Sequence, residues 1–433
     1  MRIGIIGGGL MGLALAERLG AAGHRIVVYE RAAQVGGLAT WQDFGSFTWD
    51  RFYHVILPSD SSLLGLLRRI GLAERLRWRQ TRTGYFVDGH CYSISSGLEF
   101  LRFPPLDMLS KARLAATILL CSRIRDWRKL EQQTVEQFLV RASGRRTFEK
   151  FWKPLLLAKL GEHYRRVSAV FIWTYIRRLF SARDAAAQRE QFGYVSGGYR
   201  TVFTRLLERI EQSAGVVQTG VEVTGIRGAE RRGIEVSTPS GVERYDKVIF
   251  TGPVDVMRRV VDSALVDVPP SRDVEYLGVV CLVLVTSEPV VPYYVVNISD
   301  ERVPFTGVIG MSSLVDTGET GGRYLTYLPK YVLSGDPLLT QAEATLRADF
   351  LAGLGRMFPD FDQSSIERAD VHRASRVQPL PVVGYSKLVQ LPRTCNADFY
   401  VVNTAQFVAN TLNNNEVARA VDTFLGDLAQ DFI

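Results

Sequence analysis

"RIGIIGGGLMGLALAERLGAAGHRIVVYERAAQVGGLAT", residues 2–40, decides the fold. Residues 2–7 read as a buried strand, 10–22 as a helix and 25–30, "RIVVYE", as a second strand. Strand, helix and strand within about thirty residues make a βαβ unit, which requires a parallel sheet and a right-handed crossover. The fold class is therefore α/β.

Gly7, Gly9 and Gly12 fit G-x-G-x-x-G directly after the first strand. The first lets the chain turn sharply, the second lets backbone approach a pyrophosphate, and the third lets helix and strand pack closely. The helix start at Leu10 and Met11 then offers unpaired N–H groups to phosphate. Glu30 closes the second strand eighteen residues beyond Gly12, suitably placed for ribose hydroxyls and repulsive to a 2′-phosphate, which disfavours NADP. Glycines also occur at turns that bind nothing, but here strand, helix and terminal acid all agree.

After Arg31 the chain runs into Gly36 and Gly37, where a nicotinamide site would continue into another crossover helix. A second glycine pair gives another close approach of backbone to an anion or sugar, or else a simple turn.

Bulk properties fit this picture. A chain of 433 residues exceeds what one core organises, and 46% apolar with 22% charged residues describes a folded globular protein. Cys91, Cys121, Cys281 and Cys395 are scattered, so neither a disulfide framework nor a metal site is expected. Residues 1–16 are apolar enough to mimic a signal peptide, but glycines interrupt them and Glu17 and Arg18 follow; export is not expected, and the expected location is the cytoplasm. No run of eighteen apolar residues predicts a spanning helix. Residues 102–178 hold seventeen Arg and Lys against six Asp and Glu, +11, so with a total of +7 the rest of the chain carries −4.

That basic segment lies within residues 98–189, which read as helical throughout. Residues 197–212 give an amphipathic helix, 215–226, "GVVQTGVEVTGI", a strand, and 245–252 another. Strand-like runs recur over 274–331 and suggest an antiparallel sheet in a second domain, followed by a helix over 340–358, a strand "DFYVVN" and a final helix. The expected division is 1–90, 191–255 and 376–433 for the nucleotide domain in three pieces, 91–190 for a helical basic cap, and 256–375 for the substrate sheet.

The fingerprint, Glu30, "GGLAT" at 36–40 and "VSGGYRTVFTRLL" at 195–207 together resemble the FAD-dependent amine oxidase, protoporphyrinogen oxidase and phytoene desaturase superfamily. The resemblance implies an FAD-binding, Rossmann-like (GR2-type) parallel sheet domain and a substrate domain of antiparallel sheet with a helical cap. It implies FAD contacts from Gly7, Gly9, Leu10, Met11, Gly12, Glu30, Arg31, Gly36, Gly37, Leu38, Ala39 and Thr40. It further implies backbone at Val223 against the adenine, and Thr404, Asn414 and Asn415 near the flavin, the last helix turning its N-terminus to the pyrimidine edge. Leu38 stands where many relatives have Arg, and Asn403 and Thr404 replace the usual glycine and acid.

Residues 47–60, "FTWDRFYHVILPSD", lie where relatives pass beneath the flavin. His54 is the candidate for proton handling, because imidazole titrates near neutrality, with Tyr53 as a substrate contact; a structural histidine is the alternative. In residues 148–166, Lys150, Lys153, Lys159, Arg165 and Arg166 accompany Phe151 and Trp152, and read either as a lid meeting an anionic substrate or as a solvated helix face. Lys153 is the candidate substrate residue. No nucleic-acid reading motif accompanies the charge. A shallow membrane contact through residues 104–128 fits the sequence.

The expected activity is an FAD-dependent oxidation of an anionic or lipid-linked small molecule, hydride passing to flavin. Its rivals are flavin-dependent isomerisation of a sugar nucleotide, as in UDP-galactopyranose mutase, desaturation of a prenyl chain, and a binding role like that of the Rab GDP-dissociation inhibitors.

Overall fold

The computed structural model describes residues 1–181, 191–266 and 274–432. The chain opens with β1 (Arg2–Ile6), α1 (Leu10–Ala21) and β2 (Arg25–Glu30), then α2 (Ser61–Arg69) and a hairpin of β3 (Thr83–Val87) and β4 (His90–Ser93). Five longer or flanking cap helices follow: α3 (Gly97–Leu101), α4 (Met108–Arg123), α5 (Val135–Ser143), α6 (Lys153–Leu160) and α7 (Ala169–Ser181). Helix α8 (Gly198–Gln212), β5 (Val216–Thr219) and β6 (Lys247–Phe250) lead into β7 (Tyr276–Thr286), β8 (Val295–Ile298), β9 (Gly307–Gly310) and β10 (Tyr324–Leu333). The remainder is α9 (Glu343–Met357), β11 (Ile366–Pro379), β12 (Phe399–Val401) and α10 (Asn414–Asp427).

β12, β6, β1, β2 and β5 form a wholly parallel sheet in that order. Its strands are short apolar runs because both faces are covered. Ile3, Ile5, Val28 and Ile249 pack with α1, α2, α8 and α10 on one side, while Tyr29, Val248 and Phe250 pack on the other. The strand order switches sides at β1: β2 lies on one side, β6 on the other. Ligands of such sheets bind at the carboxyl ends of the strands beside that switch point.

The second sheet runs β11, β7, β10, β9, β8, β3, β4. All its pairs are antiparallel except β8 with β3. One face packs on residues 44–57 and 192–194, the other on α9. Three strands join it from outside the stretch read as strand-rich. The β3–β4 hairpin turns at Asp88 and Gly89, both at positive φ, and β11 runs across position 375, where the sequence placed a segment edge.

One strand reading needs correction. "GVVQTGVEVTGI" is not one strand: β5 ends at Thr219, Gly220 takes φ +71°, and a separate strand Gly225–Gly228 joins a different three-stranded sheet. Left-handed backbone at Gly220 cannot continue a pleat. Residues 98–181 are helical and turn structure without a sheet strand among the described residues, as read, whereas 182–189 lie outside them. In the cap, residues 148–152 form a π-turn that runs into α6, with Pro154 in its first turn, where a missing N–H costs no hydrogen bond.

Candidate functional site

Helix α1 begins at Gly9, and no side chain caps it; no acidic residue lies in its first turn. A buried helix start normally has its orphan N–H groups satisfied by a cap. Here no side chain serves the first turn at Leu10, Met11 and Gly12, and a Cβ added at Gly9 would meet nothing within 4 Å. Gly7 sits at φ +116°, and a Cβ on Gly12 would lie 1.9 Å from the Gly7 carbonyl oxygen. The loop is thus open to a ligand and closed to side chains. The side chains of Leu10 and Met11 are buried in the core, so these residues offer only their amides.

Glu30 is fixed as well as placed. Its Oε2 accepts the Gly8 N–H at 2.8 Å and its Oε1 the Ala32 N–H at 2.7 Å, leaving the remaining lone pairs of both oxygens for hydroxyl donors. Gly36, at φ +119°, donates its N–H to the Gly8 carbonyl at 2.9 Å, so the second glycine pair is stitched to the first loop. Gly37, Leu38 and Ala39 continue as a single 3₁₀ turn, and the Gln34 amide holds the Thr40 hydroxyl at 2.7 Å. Arg31 is exposed beyond Glu30.

Val223 is buried in the loop after β5 rather than on a strand, and this loop is tied to Glu30 by the Val221 N–H at 3.0 Å. At the other edge stands Asn403. It is committed to the fold: its Nδ2 donates to the Gly252 carbonyl at 3.0 Å and its Oδ1 caps the turn that contains Thr404. Residues 7–12, 30–40, 220–223, 251–253 and 403–404 therefore converge at one end of the parallel sheet. Open glycines, uncapped amides and an oriented acid fit the diphosphate and ribose of FAD.

The C-terminal helix α10 begins at Asn414. Asn413 is its cap, accepting the Glu416 N–H at 3.0 Å. The Asn415 side chain turns to α2, where its Oδ1 accepts the N–H groups of Ser62 and Leu63 at 3.0 and 3.1 Å; it serves helix packing and is not free for a flavin. Asn414 lies beside Tyr199, at the start of the helix.

Further along, Asp50 is buried, accepting the Tyr199 N–H at 2.8 Å, while its backbone carbonyl takes the Tyr327 hydroxyl at 2.6 Å. Burial pushes its carboxyl above the usual range, with His54 and the Tyr199 amide pulling back. His54 Nδ1 stands 3.7 Å from Asp50 Oδ2, and its ring lies 5.1 Å from that of Tyr199. The imidazole is therefore oriented by an acid at longer than hydrogen-bond distance.

Tyr53 points the other way, its hydroxyl 2.8 Å from that of Tyr331 on β10. Burial pushes both phenols upward, so they stay protonated at neutral pH. Lys153, by contrast, is taken: its ammonium pairs with Glu149 at 2.9 Å, one turn back. The inward cation of α6 is Lys159, stacked against Tyr175 and Tyr331 with ring centres 4.5 and 4.7 Å away. No local signal in the sequence joins Lys159, Tyr175 and Tyr331, because the fold assembles them from two helices and a strand.

Fold and loop define a dinucleotide-binding protein of flavoprotein architecture. The profile of the flavin containing amine oxidoreductase family matches residues 10–391, and the chain belongs to this family of FAD-dependent oxidoreductases. A zeta-carotene desaturase from Synechocystis sp. is 26% identical over 213 residues, covering 43% of each protein, so the match spans less than half of that relative's length. The crystal structure of an oxidoreductase from Methanosarcina mazei is similar with a TM-score of 0.76, at 19% identity over 98% of this chain and 100% of that one. Reduced UDP-galactopyranose mutase is similar with a TM-score of 0.69, at 16% identity over 99% and 95%.

Proposed function

We propose that this protein oxidises an apolar, lipid-like small molecule that it meets at a membrane surface. The observation that carries the reading is the outer face of the cap. Leu98, Leu101, Met108, Leu109, Leu119 and Leu120 are 44–64% exposed on α3 and α4. Six large apolar side chains this exposed on two successive helices suit contact with an apolar phase. Arg102, Arg113 and Arg123 accompany them, giving an amphipathic ledge suited to anionic headgroups. Among the described residues no helix is long and apolar enough to cross a membrane, so the contact is shallow. Similarity to a carotene desaturase supports a substrate of the same apolar character.

FAD, when bound, supplies the two-electron acceptor of the reaction. The residues at the carboxyl ends of β1, β2, β6 and β12 would hold it, through the α1 amides, Glu30 and the Gly36–Gly37 turn. The chain's own work is to orient the substrate, exclude water and handle the proton, and His54 is suited to the last: its Nδ1 faces the Asp50 carboxylate and its ring keeps partial exposure.

The test is anaerobic bleaching of the bound flavin against amines, porphyrinogens, prenyl diphosphates and sugar nucleotides, each with and without anionic vesicles. Bleaching by the lipid-like compounds, faster on vesicles, is expected. Bleaching confined to hydrophilic amines overturns the reading, as does sugar-nucleotide turnover only after prior reduction, which selects the mutase chemistry.

A further inference from the structure

Four side chains from separate parts of the chain meet between cap and sheet. Lys159 comes from α6, Tyr175 from α7, Tyr331 from β10 and Tyr53 from the segment after the second glycine pair. Burial dominates the environment of Lys159, Tyr53 and Tyr331, yet each keeps part of its surface uncovered.

The charge balance here is uneven. Among the described residues no carboxylate lies within ion-pair distance of Lys159, although the other cations around it are matched: Lys153 with Glu149, Arg165 with Glu162 and Arg166 with Glu275. Two phenol rings flank the ammonium at cation–π distance, and the Tyr175 hydroxyl takes one of its three N–H donors, leaving the others without a carboxylate partner. Burial presses the ammonium to give up its proton, and Tyr175 and Tyr331 together outweigh it in the opposite direction, so the group stays charged. The phenol pair is similarly incomplete. One hydroxyl of Tyr53 and Tyr331 donates to the other at 2.8 Å, and the second proton of the pair remains for another acceptor. A buried cation with spare donors, beside a neutral donor and aromatic walls, is stabilised by an anion that arrives with its own apolar body.

We infer that Lys159 and the Tyr53–Tyr331 pair form the anion-recognising end of the substrate space, accepting a carboxylate or phosphate carried by an otherwise apolar molecule. This rests on the proposed oxidation of a lipid-like substrate and adds the headgroup to it. Lys159 here is a binding residue; proton handling stays with His54.

The experiment is calorimetric titration of the FAD-loaded protein with decanoate, decyl phosphate and decanol, in the wild type and in the Lys159→Met and Lys159→Arg variants. Flavin content and melting temperature are measured alongside. Decanoate or decyl phosphate is expected to bind the wild type at least tenfold more tightly than decanol. Lys159→Met should lose that preference while keeping decanol affinity and flavin, and Lys159→Arg should restore most of it. Preference for decanoate over decyl phosphate, or the reverse, decides which anion is native. Equal binding of all three compounds to the wild type overturns the inference, as does an unchanged preference in Lys159→Met. Loss of flavin from Lys159→Met also overturns it, assigning the cation to the cofactor instead. Should Lys159→Met fail to fold, Tyr331→Phe, which removes one donor and little volume, must lower the anion preference severalfold, and no change there is equally fatal. A wild-type protein that binds no FAD at all defeats the parent reading rather than this one.

Discussion

The Glu30 carboxylate and the Gly8 amide are joined at 2.8 Å, so the acid at the end of β2 also shapes the loop after β1. Glu30→Ala removes this bond and the one to Ala32 together. Hydrogen bonds to a charged group are worth about 1.5–3 kcal/mol each. FAD retention, measured by equilibrium dialysis, should fall by about tenfold or more, and Glu30→Gln, which keeps one acceptor, should fall between.

The two loop glycines should fail in different ways. Gly12→Ala places a methyl 1.9 Å from the Gly7 carbonyl, so strand and helix must separate, and both melting temperature and flavin content should drop. Gly9→Ala meets nothing within 4 Å, so the protein should fold and melt normally yet bind flavin poorly. Normal flavin content in Gly9→Ala would show that the diphosphate lies elsewhere.

His54→Gln should keep FAD and fold but slow anaerobic flavin reduction by about 10²–10⁴-fold, the usual range for a positioned proton acceptor. Asp50→Asn should slow it less, since the Tyr199 N–H bond survives. Undiminished reduction in His54→Gln would return this histidine to a packing role.

His372, on β11 against the ring of Phe52, has its pKa lowered from 6.5 to about 4, mainly by burial and next by Arg51. The unfolded chain therefore binds a proton that the folded chain refuses. Stability contributed by this group is complete above pH 6.5 and lost as pH falls toward 4, by up to about 3 kcal/mol. Urea midpoints between these limits should slope less in His372→Leu than in the wild type.

Anionic vesicles should pull the protein down on centrifugation, and neutral vesicles much less. Replacing both Leu109 and Leu120 with Glu should weaken that association by at least about tenfold, because burial of each leucine is worth about 1.5–3 kcal/mol. Unchanged sedimentation would remove the membrane from the proposed function.

The nucleotide half was legible because its determinants are local. A tight βαβ unit, its glycines and Glu30 lie within forty residues, and each follows from backbone geometry. The cap was legible from helical periodicity. β11 was hidden because it is an edge strand with Arg368, His372, Arg373 and Arg376 spread along it, and their ion pairs form only after folding. The β3–β4 hairpin did carry a signal, the Asp88–Gly89 turn between apolar runs, that went unused. Lys153 and Lys159 look alike in sequence, but six residues along α6 rotate one toward Glu149 and solvent, the other toward Tyr331.

The parallel sheet draws its five strands from residues 2–30, 216–250 and 399–401. During translation the glycine loop emerges first, but β6, which pairs with β1, comes far later, and β12 and the packing helix α10 later still. The early segment must wait, β1 and β2 paired only with each other, so the parallel sheet closes late in synthesis.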